Sequence, residues 1–422
     1  VVHDASEVFV GPADEGDAGI ADEGDAGIAD EGDAGTSEPR VLENAAVAVD
    51  DGRIAAVGPT ETVTREYPPE NADSAIDATG GTVLPGFVDS HTHALFAGDR
   101  SDEFAAKLRG KTYQEILAEG GGILRTVEAV RETEDAVLLA NLLDHLDTML
   151  RHGTTTVEVK SGYGLDVETE LRMLDVIARA DDAHAVDVVP TFMGAHAVPD
   201  GVDTEAYVDR VVGEQLPAVA DQGVAEFCDV FCEEGVFSVD QSRRVLEAGL
   251  DHGLVPKVHA EELSHLGGSK LAAEVGATSA DHLLYATDED ARALAEAGVT
   301  PVLLPGTAFA LGENYADPSQ FATAGAPVAV ATDFNPNCYS QSMGFAVALA
   351  CVGMGMAPAA AVRAATAGGA RALDRDDRGT LHEGAVGDLV VLDAPSHVHL
   401  PYNFGVNTVG TVIKQGEVVH RA

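Results

Sequence analysis

Short apolar segments rich in β-branched residues alternate with longer helical segments through the middle of the chain, and this alternation constrains the fold most strongly. The predicted strands are 83–89, 154–160, 187–192, 226–231, 254–258, 278–282, 299–304 and 327–331. The predicted helices include 134–151, 168–180, 204–222, 240–252, 269–276 and 288–298. Eight strands, each followed by a connection or a helix, are typical of a (β/α)8 TIM barrel. The rival, a doubly wound open sheet, usually has a glycine-rich phosphate-binding turn after its first strand. Here the first strand ends instead in Ser90-His91-Thr92-His93.

The two ends of the chain have a different pattern. Residues 44–57 alternate apolar and polar around Asp51-Gly52, which is a hairpin signature. Residues 388–393 and 408–419 look alike, with a turn at Gln415-Gly416. We therefore predict a small β-sandwich built from both ends, with residues 1–80 as its first part, 81–385 as the barrel and 386–422 as its second part.

An acidic repeat interrupts the first of these parts. Between residues 13 and 35 the sequence ADEGDAGI occurs twice and ADEGDAGT follows once. The repeat has almost no apolar bulk, so it cannot offset its ordering entropy, and we predict a solvated, disordered loop. The Asp and Gly content is compatible with a calcium loop, but the twelve-residue ligand spacing and the terminal glutamate are missing.

The charge of the chain excludes several classes of partner. Asp and Glu number 71 against 25 Lys and Arg, which gives a formal net charge of -46. Such a surface repels nucleic acid and anionic lipid, so we expect a small-molecule substrate, no nucleic acid and no membrane. Only six of the basic residues are lysines, and acid excess without lysine indicates adaptation to molar salt, where the Debye length falls to about 3 Å.

We predict the cellular compartment of the protein from three features: its cysteine content, its longest apolar run and its first residues. The four cysteines are too few for a disulfide scaffold of this length. The sequence contains no apolar run long enough for a membrane span, and its first residues resemble no signal peptide. These observations favour a cytoplasmic protein.

Metal-binding side chains recur where the predicted strands end, and functional residues of a barrel lie at those ends. His91 and His93 follow the first strand and, being two residues apart, point to the same side. A third imidazole from His259 and a carboxylate from Asp333 would complete a nitrogen and oxygen site suited to Zn²⁺ or Fe²⁺. His282, at the end of the sixth strand, is a further functional candidate.

The residues 86–93, GFVDSHTH, resemble the first-strand motif of the amidohydrolase superfamily. Its members are barrels with a small β-sandwich made from both chain ends. More narrowly, the chain resembles the ring-opening hydrolases of histidine degradation within that superfamily. The stretches that carry this resemblance are HTHALFAGDR (91–100), EVKSGYGL (158–165), TFMGAHAVP (191–199), KVHAEE (257–262), SADHL (279–283) and TDFNPN (332–337).

The resemblance implies hydrolysis of 4-imidazolone-5-propanoate to N-formimidoyl-L-glutamate, with one zinc or iron ion in each subunit and a homodimeric assembly. The residues that match the family's metal ligands are His91, His93, His259 and Asp333. Those that match its substrate contacts are Arg100, Tyr163, His196 and Glu262, and those that fall where the family contacts substrate or product after strand eight are Asn335, Asn337 and Cys338. Many members carry Gly and then Ser or Thr at the last two positions, so Asn337 and Cys338 depart from the family pattern.

The chemistry of these residue types agrees with the implied reaction. Arg100 is the fixed cation nearest in sequence to the metal motif, and a guanidinium can hold a carboxylate through two hydrogen bonds. The leaving ring nitrogen needs a proton, and the candidates for moving it are Asp333, His282 and Glu262. We favour Asp333 and His282 as the pair that activates water, with Glu262 as the contact to the ring nitrogen. The fourth strand, 226–233, contains no lysine that could bridge two metals, which favours a single ion.

Two alternatives share part of this pattern. Another amidohydrolase, such as a deaminase of a formimino group or a nucleobase, would need the same histidines and Asp333 but not obviously Arg100, Tyr163 and His196 together. It would release ammonia, whereas ring opening does not. A metal-binding protein without catalysis is the second alternative, and the presence of both Asp333 and His282 argues against it.

Overall fold

The computed structural model describes residues 1–12, 39–111, 115–116 and 120–422. The predicted disordered repeat at 13–35 lies outside the described residues. In chain order the strands are β1 (Val2–Pro12), β2 (Pro39–Asp50), β3 (Arg53–Pro59), β4 (Ile76–Asp77), β5 (Thr82–Pro85), β6 (Phe87–Asp89), β7 (Thr154–Lys160), β8 (Asp187–Ala195), β9 (Phe227–Cys232), β10 (Val255–Ala260), β11 (Ser279–His282), β12 (Thr300–Leu303), β13 (Ala329–Val330), β14 (Leu389–Leu392), β15 (Val409–Lys414) and β16 (Glu417–Arg421).

The α-helices within the described residues cover most connections between these strands. They are Thr60–Glu66, Ser101–Leu108, Ile123–Glu132, Asp135–Arg151, Val167–Ala183, Thr204–Arg210, Leu216–Gln222, Val239–Asp251, Gly268–Val275, Asp288–Ala297, Pro305–Leu311, Pro318–Ala324, Met343–Val352, Pro358–Arg363, Gly369–Arg371 and His399–Tyr402. The six predicted helices are confirmed to within about three residues at each end, as expected for pattern-based boundaries. No helix in the described part of the chain has both the length and the apolar character that a membrane crossing requires.

The eight strands β6 to β13 form one parallel sheet in sequence order, which confirms the predicted barrel. The sheet closes between its last and first strands through a parallel bridge between Thr92 and Phe334. Two backbone hydrogen bonds support this closure. The amide of His93 donates to the carbonyl of Phe334 (2.9 Å), and the amide of Asp333 donates to the carbonyl of His91 (3.1 Å). The closing seam therefore runs directly beside three of the predicted metal ligands.

The helices pack on the outside of the barrel through one apolar face. In Asp135–Arg151, buried residues recur every three or four positions at Leu138, Leu142, Leu146 and Met149, the spacing of one helical face. Polar side chains start several of these helices. Asp166 accepts a hydrogen bond from the amide of Thr169, for example, which caps one of the free donors of the first turn. This local chemistry explains why the chain turns from each strand into a helix.

A second sheet is drawn from both ends of the chain, as predicted. Its order is β16-β15-β14-β5-β1-β2-β3, with β4 paired to β1, so the β1–β5 strands and the β14–β16 strands form one mixed sheet. A separate apolar core lies on it, formed among others by Val8, Val47, Val83 and Leu389.

The prediction of one continuous first barrel strand over 83–89 is wrong. Residues Thr82–Pro85 pair with β1 and β14 in the small sheet, whereas Phe87–Asp89 pairs with β7 in the barrel. Pro85-Gly86 separates the two strands. Because proline cannot donate a backbone hydrogen bond, this dipeptide ends one ladder and lets the chain enter another.

Candidate active site

The predicted functional histidines converge at the carboxyl-terminal edge of the barrel. His91 and His93 follow β6, His259 lies on β10, His282 ends β11 and Asp333 follows β13. Each is at most 3% exposed. The barrel closure brings the first and last strand ends together, and this places residues more than two hundred positions apart in one cluster.

The predicted metal ligands point at one another. Nε2 of His93 lies 3.3 Å from Nε2 of His259. Oδ1 of Asp333 lies 3.6 Å from Nε2 of His91 and 3.8 Å from Nε2 of His93. Three triads that share His91 have metal-ligand separations here: His91, His93 and Asp333; His91, His259 and His282; and His91, Glu158 and Asp281.

This donor set fits a metal ion. Nε2 of His91 is buried and has no hydrogen-bond partner among the described residues, which is costly unless a ligand satisfies the atom. The two Nε2 atoms of His93 and His259 approach too closely for both to carry protons, so at least one presents a lone pair. Imidazole nitrogens with a carboxylate oxygen are suited to zinc or iron.

Asp333 is held in an unusual backbone conformation. Its φ is +50°, a region in which residues other than glycine are strained. Its carboxylate accepts hydrogen bonds from the hydroxyl of Thr307 and from Nδ2 of Asn335 (2.9 Å), which fix its direction. Burial raises the pKa of this carboxyl.

His282 and Glu262 form a second pair beside the metal ligands. Nε2 of His282 lies 3.6 Å from Oε2 of Glu262. Burial, with the nearby Asp333 and Glu233 carboxylates, raises the pKa of Glu262 well above its usual range. Burial lowers the pKa of His282 well below its ordinary value, so its imidazole is neutral at pH 7. The two side chains therefore place a carboxyl and a neutral imidazole beside the proposed metal ligands.

Tyr163 and His196 line the same cluster from the second and third strands. The His196 ring stacks on His93 with centroids 4.7 Å apart, and the Tyr163 ring lies 5.3 Å from His196. Nδ1 of His196 lies 3.1 Å from the carbonyl of Gly162, so Nδ1 donates and Nε2 keeps its lone pair. Burial lowers the pKa of His196 to about 3.

Arg100 is buried and already has a protein partner. Its Nε and Nη2 donate to Oε2 of Glu103 at 3.0 and 2.8 Å. Within the described residues its Nη1 donates to no protein atom. Glu103 thus holds the guanidinium in place along one edge.

The loop after β13 is organised by Asn335. Its Oδ1 accepts the amides of Asn337 (2.7 Å) and Cys338 (3.0 Å), and its Nδ2 donates to Asp333. Asn337 accepts a hydrogen bond from Nζ of Lys107 at 2.7 Å. Cys338 is buried with its Sγ 3.6 Å from the carbonyl of Thr332, and burial raises the pKa of the thiol.

Sequence reasoning missed the side chains that hold these groups. They are Lys107, which reaches Asn337; Thr307, which reaches Asp333; Glu170, which accepts three backbone amides of the Tyr163 loop; and the buried charges Glu158, Asp229, Lys257 and Asp281 beneath the histidines. One signal was available for the lysines. In a chain with only six, a lysine inside an apolar strand is conspicuous.

The fold and this cluster define a metal-dependent hydrolase barrel. A family model described as the amidohydrolase family matches residues 82–419, and a model described as an imidazolonepropionase-like composite domain of bacteria matches residues 45–69. The chain therefore belongs to the amidohydrolase family, whose members depend on a bound metal.

Relatives place the chain more narrowly. It is 69% identical over 420 residues to an imidazolonepropionase of Haloarcula marismortui, covering 99% of this chain and 95% of that one. It is 65% identical over 425 residues to one of Halobacterium salinarum (99% and 97%), and 48% identical over 388 residues to one of Geobacillus kaustophilus (91% and 92%). Among the amidohydrolases, it belongs with the imidazolonepropionases.

Solved structures share the fold at low identity. An atrazine chlorohydrolase from Arthrobacter aurescens complexed with zinc superposes with a TM-score of 0.70 at 17% identity, covering 100% of this chain and 95% of that one. An adenosine deaminase from Xanthomonas campestris with bound zinc superposes with a TM-score of 0.69 at 21% identity (90% and 89%). These likenesses support the barrel architecture.

Proposed function

We propose that this protein hydrolyses 4-imidazolone-5-propanoate to N-formimidoyl-L-glutamate, with one zinc or iron ion in each subunit held by His91, His93, His259 and Asp333. The observation that carries the proposal is the convergence of these four side chains at 3.3 to 3.8 Å in a chain of this family. When bound, such an ion polarises a carbonyl and lowers the pKa of a coordinated water.

Arg100 anchors the propanoate tail of the substrate. The Glu103 carboxylate holds its Nε and Nη2, so the guanidinium is oriented before the substrate arrives and loses little freedom on binding. The Nη1 nitrogen then binds the substrate carboxylate. In a protein with a net charge of -46, a local cation is needed to attract an anionic substrate.

Tyr163, His196 and the loop after β13 shape the rest of the substrate pocket. The neutral His196 offers the lone pair of its Nε2 as an acceptor for a ring N–H, because its Nδ1 donates to Gly162. The Tyr163 hydroxyl donates to the substrate. Asn335 keeps Asn337 and Cys338 in register with Asp333, and these residues line the side of the pocket that releases the product.

The reaction breaks one C–N bond of the ring and consumes one water. The hydroxyl of the water joins the carbonyl carbon, which becomes a carboxylate, and a proton goes to the leaving ring nitrogen. Asp333 and His282 take the proton from the attacking water. Glu262, whose pKa is raised well above its usual range by burial, contacts the ring nitrogen and supplies it with a proton.

Product analysis tests this reaction. Purified protein in multimolar KCl should consume 4-imidazolone-5-propanoate, form N-formimidoyl-L-glutamate and release no ammonia. Metal content measured by mass spectrometry should approach one ion per subunit and identify zinc or iron. Release of ammonia, with a ring-intact product, would indicate a deaminase and contradict the proposal.

The protein acts as a homodimer that associates through an uncharged surface. Residues 394–413 contain no Asp, Glu, Lys or Arg, and Tyr402, Phe404 and Val406 there are 76%, 68% and 72% exposed. Exposed apolar side chains in a patch of this kind favour association, because no charged group there has to be desolvated. Light scattering in multimolar KCl should give a dimer, and Phe404→Glu should give a monomer. A monomeric wild-type protein would contradict this assignment.

We place the enzyme in the cytoplasm, with no nucleic acid as partner. All four cysteines are free, as expected in a reducing compartment, and the acidic surface repels polyanions. Cell fractionation would test the compartment. Recovery of the protein outside the cytoplasmic fraction would contradict it.

A further inference from the structure

In two of the proposed metal-binding histidines, the Nδ1 atom of the imidazole contacts a buried carboxylate. Nδ1 of His91 lies 2.6 Å from Oδ2 of Asp281, and Nδ1 of His259 lies 3.0 Å from Oδ2 of Asp229. Both aspartates are completely buried. An ionised carboxylate can only accept, so Nδ1 of His91 carries the proton of its hydrogen bond to Asp281 and Nε2 keeps the lone pair. In His259 the charge of the nearby Asp229 carboxylate favours the same tautomer, although Nδ1 there is not aligned for a hydrogen bond.

A single lysine connects these two pairs. Nζ of Lys160 lies 2.7 Å from Oδ2 of Asp229 and 3.8 Å from Oδ2 of Asp281. It also lies 2.8 Å from Oε2 of Glu158. The side chain of Lys160 is fully buried, so its charge is compensated by these carboxylates alone among the described residues.

A second lysine completes the network one layer deeper in the barrel. Nζ of Lys257 lies 3.2 Å from Oε1 of Glu158 and donates to the carbonyls of Ser90 (3.1 Å) and Ala372 (3.4 Å). Three carboxylates and two ammonium groups thus lie beneath the histidines. The register of the strands sets this arrangement, because Lys257 pairs with Asp229 on β9 and His259 pairs with Asp281 on β11.

We propose that Asp229 and Asp281 are positioning residues that fix the tautomers of His259 and His91, and that Lys160 holds both aspartates in place. This inference rests on the proposed metal site and adds the reason why that site is preorganised. Without the aspartates each imidazole could rotate or carry its proton on Nε2, and that nitrogen would then have no lone pair for the ion. Partners of this kind typically affect metal affinity by about 10- to 100-fold.

The composition of the chain supports a specific role for Lys160. Only six lysines are present, and two of them, Lys160 and Lys257, are fully buried in this network. Burying charges is expensive unless each one is paired, and apolar residues of similar volume are often as stable. A purely structural role would therefore not require this cluster directly under the ligand imidazoles.

Zinc affinity of the full-length protein tests the proposal. Asp281→Asn and Asp229→Asn should each weaken zinc binding about 10- to 100-fold in chelator competition, and Lys160→Met should weaken it comparably. Glu158→Gln is the matched control. It removes the same charge from the same buried cluster, but Glu158 has no hydrogen bond to a ligand imidazole, so zinc affinity should stay within about threefold.

Nitrogen NMR of the histidine-labelled wild-type protein gives an answer even if a variant fails to fold. We expect His91 and His259 to carry their protons on Nδ1, both with and without zinc. Protonation on Nε2 in either residue would overturn the proposal, as would unchanged zinc affinity in both aspartate variants. Failure of the wild-type protein to bind zinc or iron would instead contradict the metal site itself.

Discussion

The imidazole nitrogens Nε2 of His93 and His259 lie 3.3 Å apart, although His93 follows the first strand of the barrel and His259 lies on the fifth. The strands bring them together from opposite sides, and the carboxylate of Asp333 approaches from the closing seam. The buried Nε2 of His91 has no hydrogen-bond partner among the described residues, so this cluster offers an ion a donor that the protein leaves unsatisfied. The predictions below follow from this cluster and from the contacts around it.

Arg100→Ala should raise KM about 10- to 100-fold, because it removes a charged hydrogen bond to the substrate carboxylate. Metal content should be unchanged, since Arg100 contacts none of the proposed ligands. Arg125→Ala is a matched control, because Arg125 also lies near Glu103 (3.5 Å) but is 40% exposed. Steady-state kinetics and metal analysis check both variants. Equal loss of metal and affinity in Arg100→Ala would refute the anchor role.

Glu170→Gln tests how the Tyr163 loop is held. The Glu170 carboxylate accepts the amides of Gly162 (2.9 Å), Gly164 (2.7 Å) and Leu165 (2.8 Å), and glutamine offers only one oxygen in its place. We expect a higher KM from a looser loop. A variant with unchanged KM would mean that the loop keeps its position without these bonds.

The same variant has a pH signature. Burial raises the pKa of Glu170, so the folded protein binds this proton more tightly than the unfolded chain does. The stability from that proton is full below about pH 4 and is lost as pH rises through the raised pKa. The free energy of unfolding of the wild-type protein minus that of Glu170→Gln should therefore fall with rising pH. Urea titrations of metal-stripped proteins would measure it, and a difference that increases with pH would contradict the assignment.

Lys414→Met should destabilise the contact between the small sheet and the barrel. Nζ of Lys414, on β15, lies 2.6 Å from Asp388 and 2.7 Å from Asp187 at the start of β8. Removing Lys414 leaves the buried Asp388 carboxylate without its cation, which costs about 3 kcal/mol, whereas the partly exposed Asp187 keeps its ion pair with Arg378. Lys270→Met removes an exposed pair, in which Nζ of Lys270 lies 3.1 Å from Oε1 of Glu289, and should cost far less because solvent screens the two charges. Chemical denaturation measures the free energy of unfolding of both variants. Equal losses of stability would argue against a role of Lys414 in holding the small sheet to the barrel.

Deletion of residues 13–35 should leave turnover unchanged. Pro12 and Pro39 are paired at the ends of β1 and β2, so the three remaining residues, Thr36, Ser37 and Glu38, can connect the strands as a short hairpin loop. The paired ends lie in the small sheet, on different strands from every proposed site residue. A collapse of kcat in the deletion variant, with the fold intact, would show that the repeat takes part in catalysis.

Much of this architecture could be predicted from the sequence because its signals are local. The alternation of strand and helix segments predicts the barrel. The sequence His91-Thr92-His93 marks the end of a strand, where side chains two residues apart point to the same side. The division at Pro85-Gly86 was missed because Val83 and Leu84 continue the apolar run into Phe87, and nothing in that run reveals two different sheets.

The buried charged side chains beneath the histidines could not be predicted in the same way. Asp229 appears in the sequence as one polar residue within an apolar strand, FCDVFC, and its partners are thirty and sixty-nine positions away. Which side chains meet depends on the register of neighbouring strands, which single-sequence patterns leave open. The pairing of Arg100 with Glu103 does not depend on strand register. The two residues are spaced i, i+3 at the start of a helix, and this spacing can be read from the sequence.

The most direct test of the central claim is a titration of metal-stripped protein with zinc or ferrous iron while turnover of 4-imidazolone-5-propanoate is followed. We predict no turnover without metal, activity that rises linearly to one equivalent per subunit, and no activity in Asp333→Ala at any metal concentration. Full turnover by the stripped protein, or by Asp333→Ala, would contradict the account.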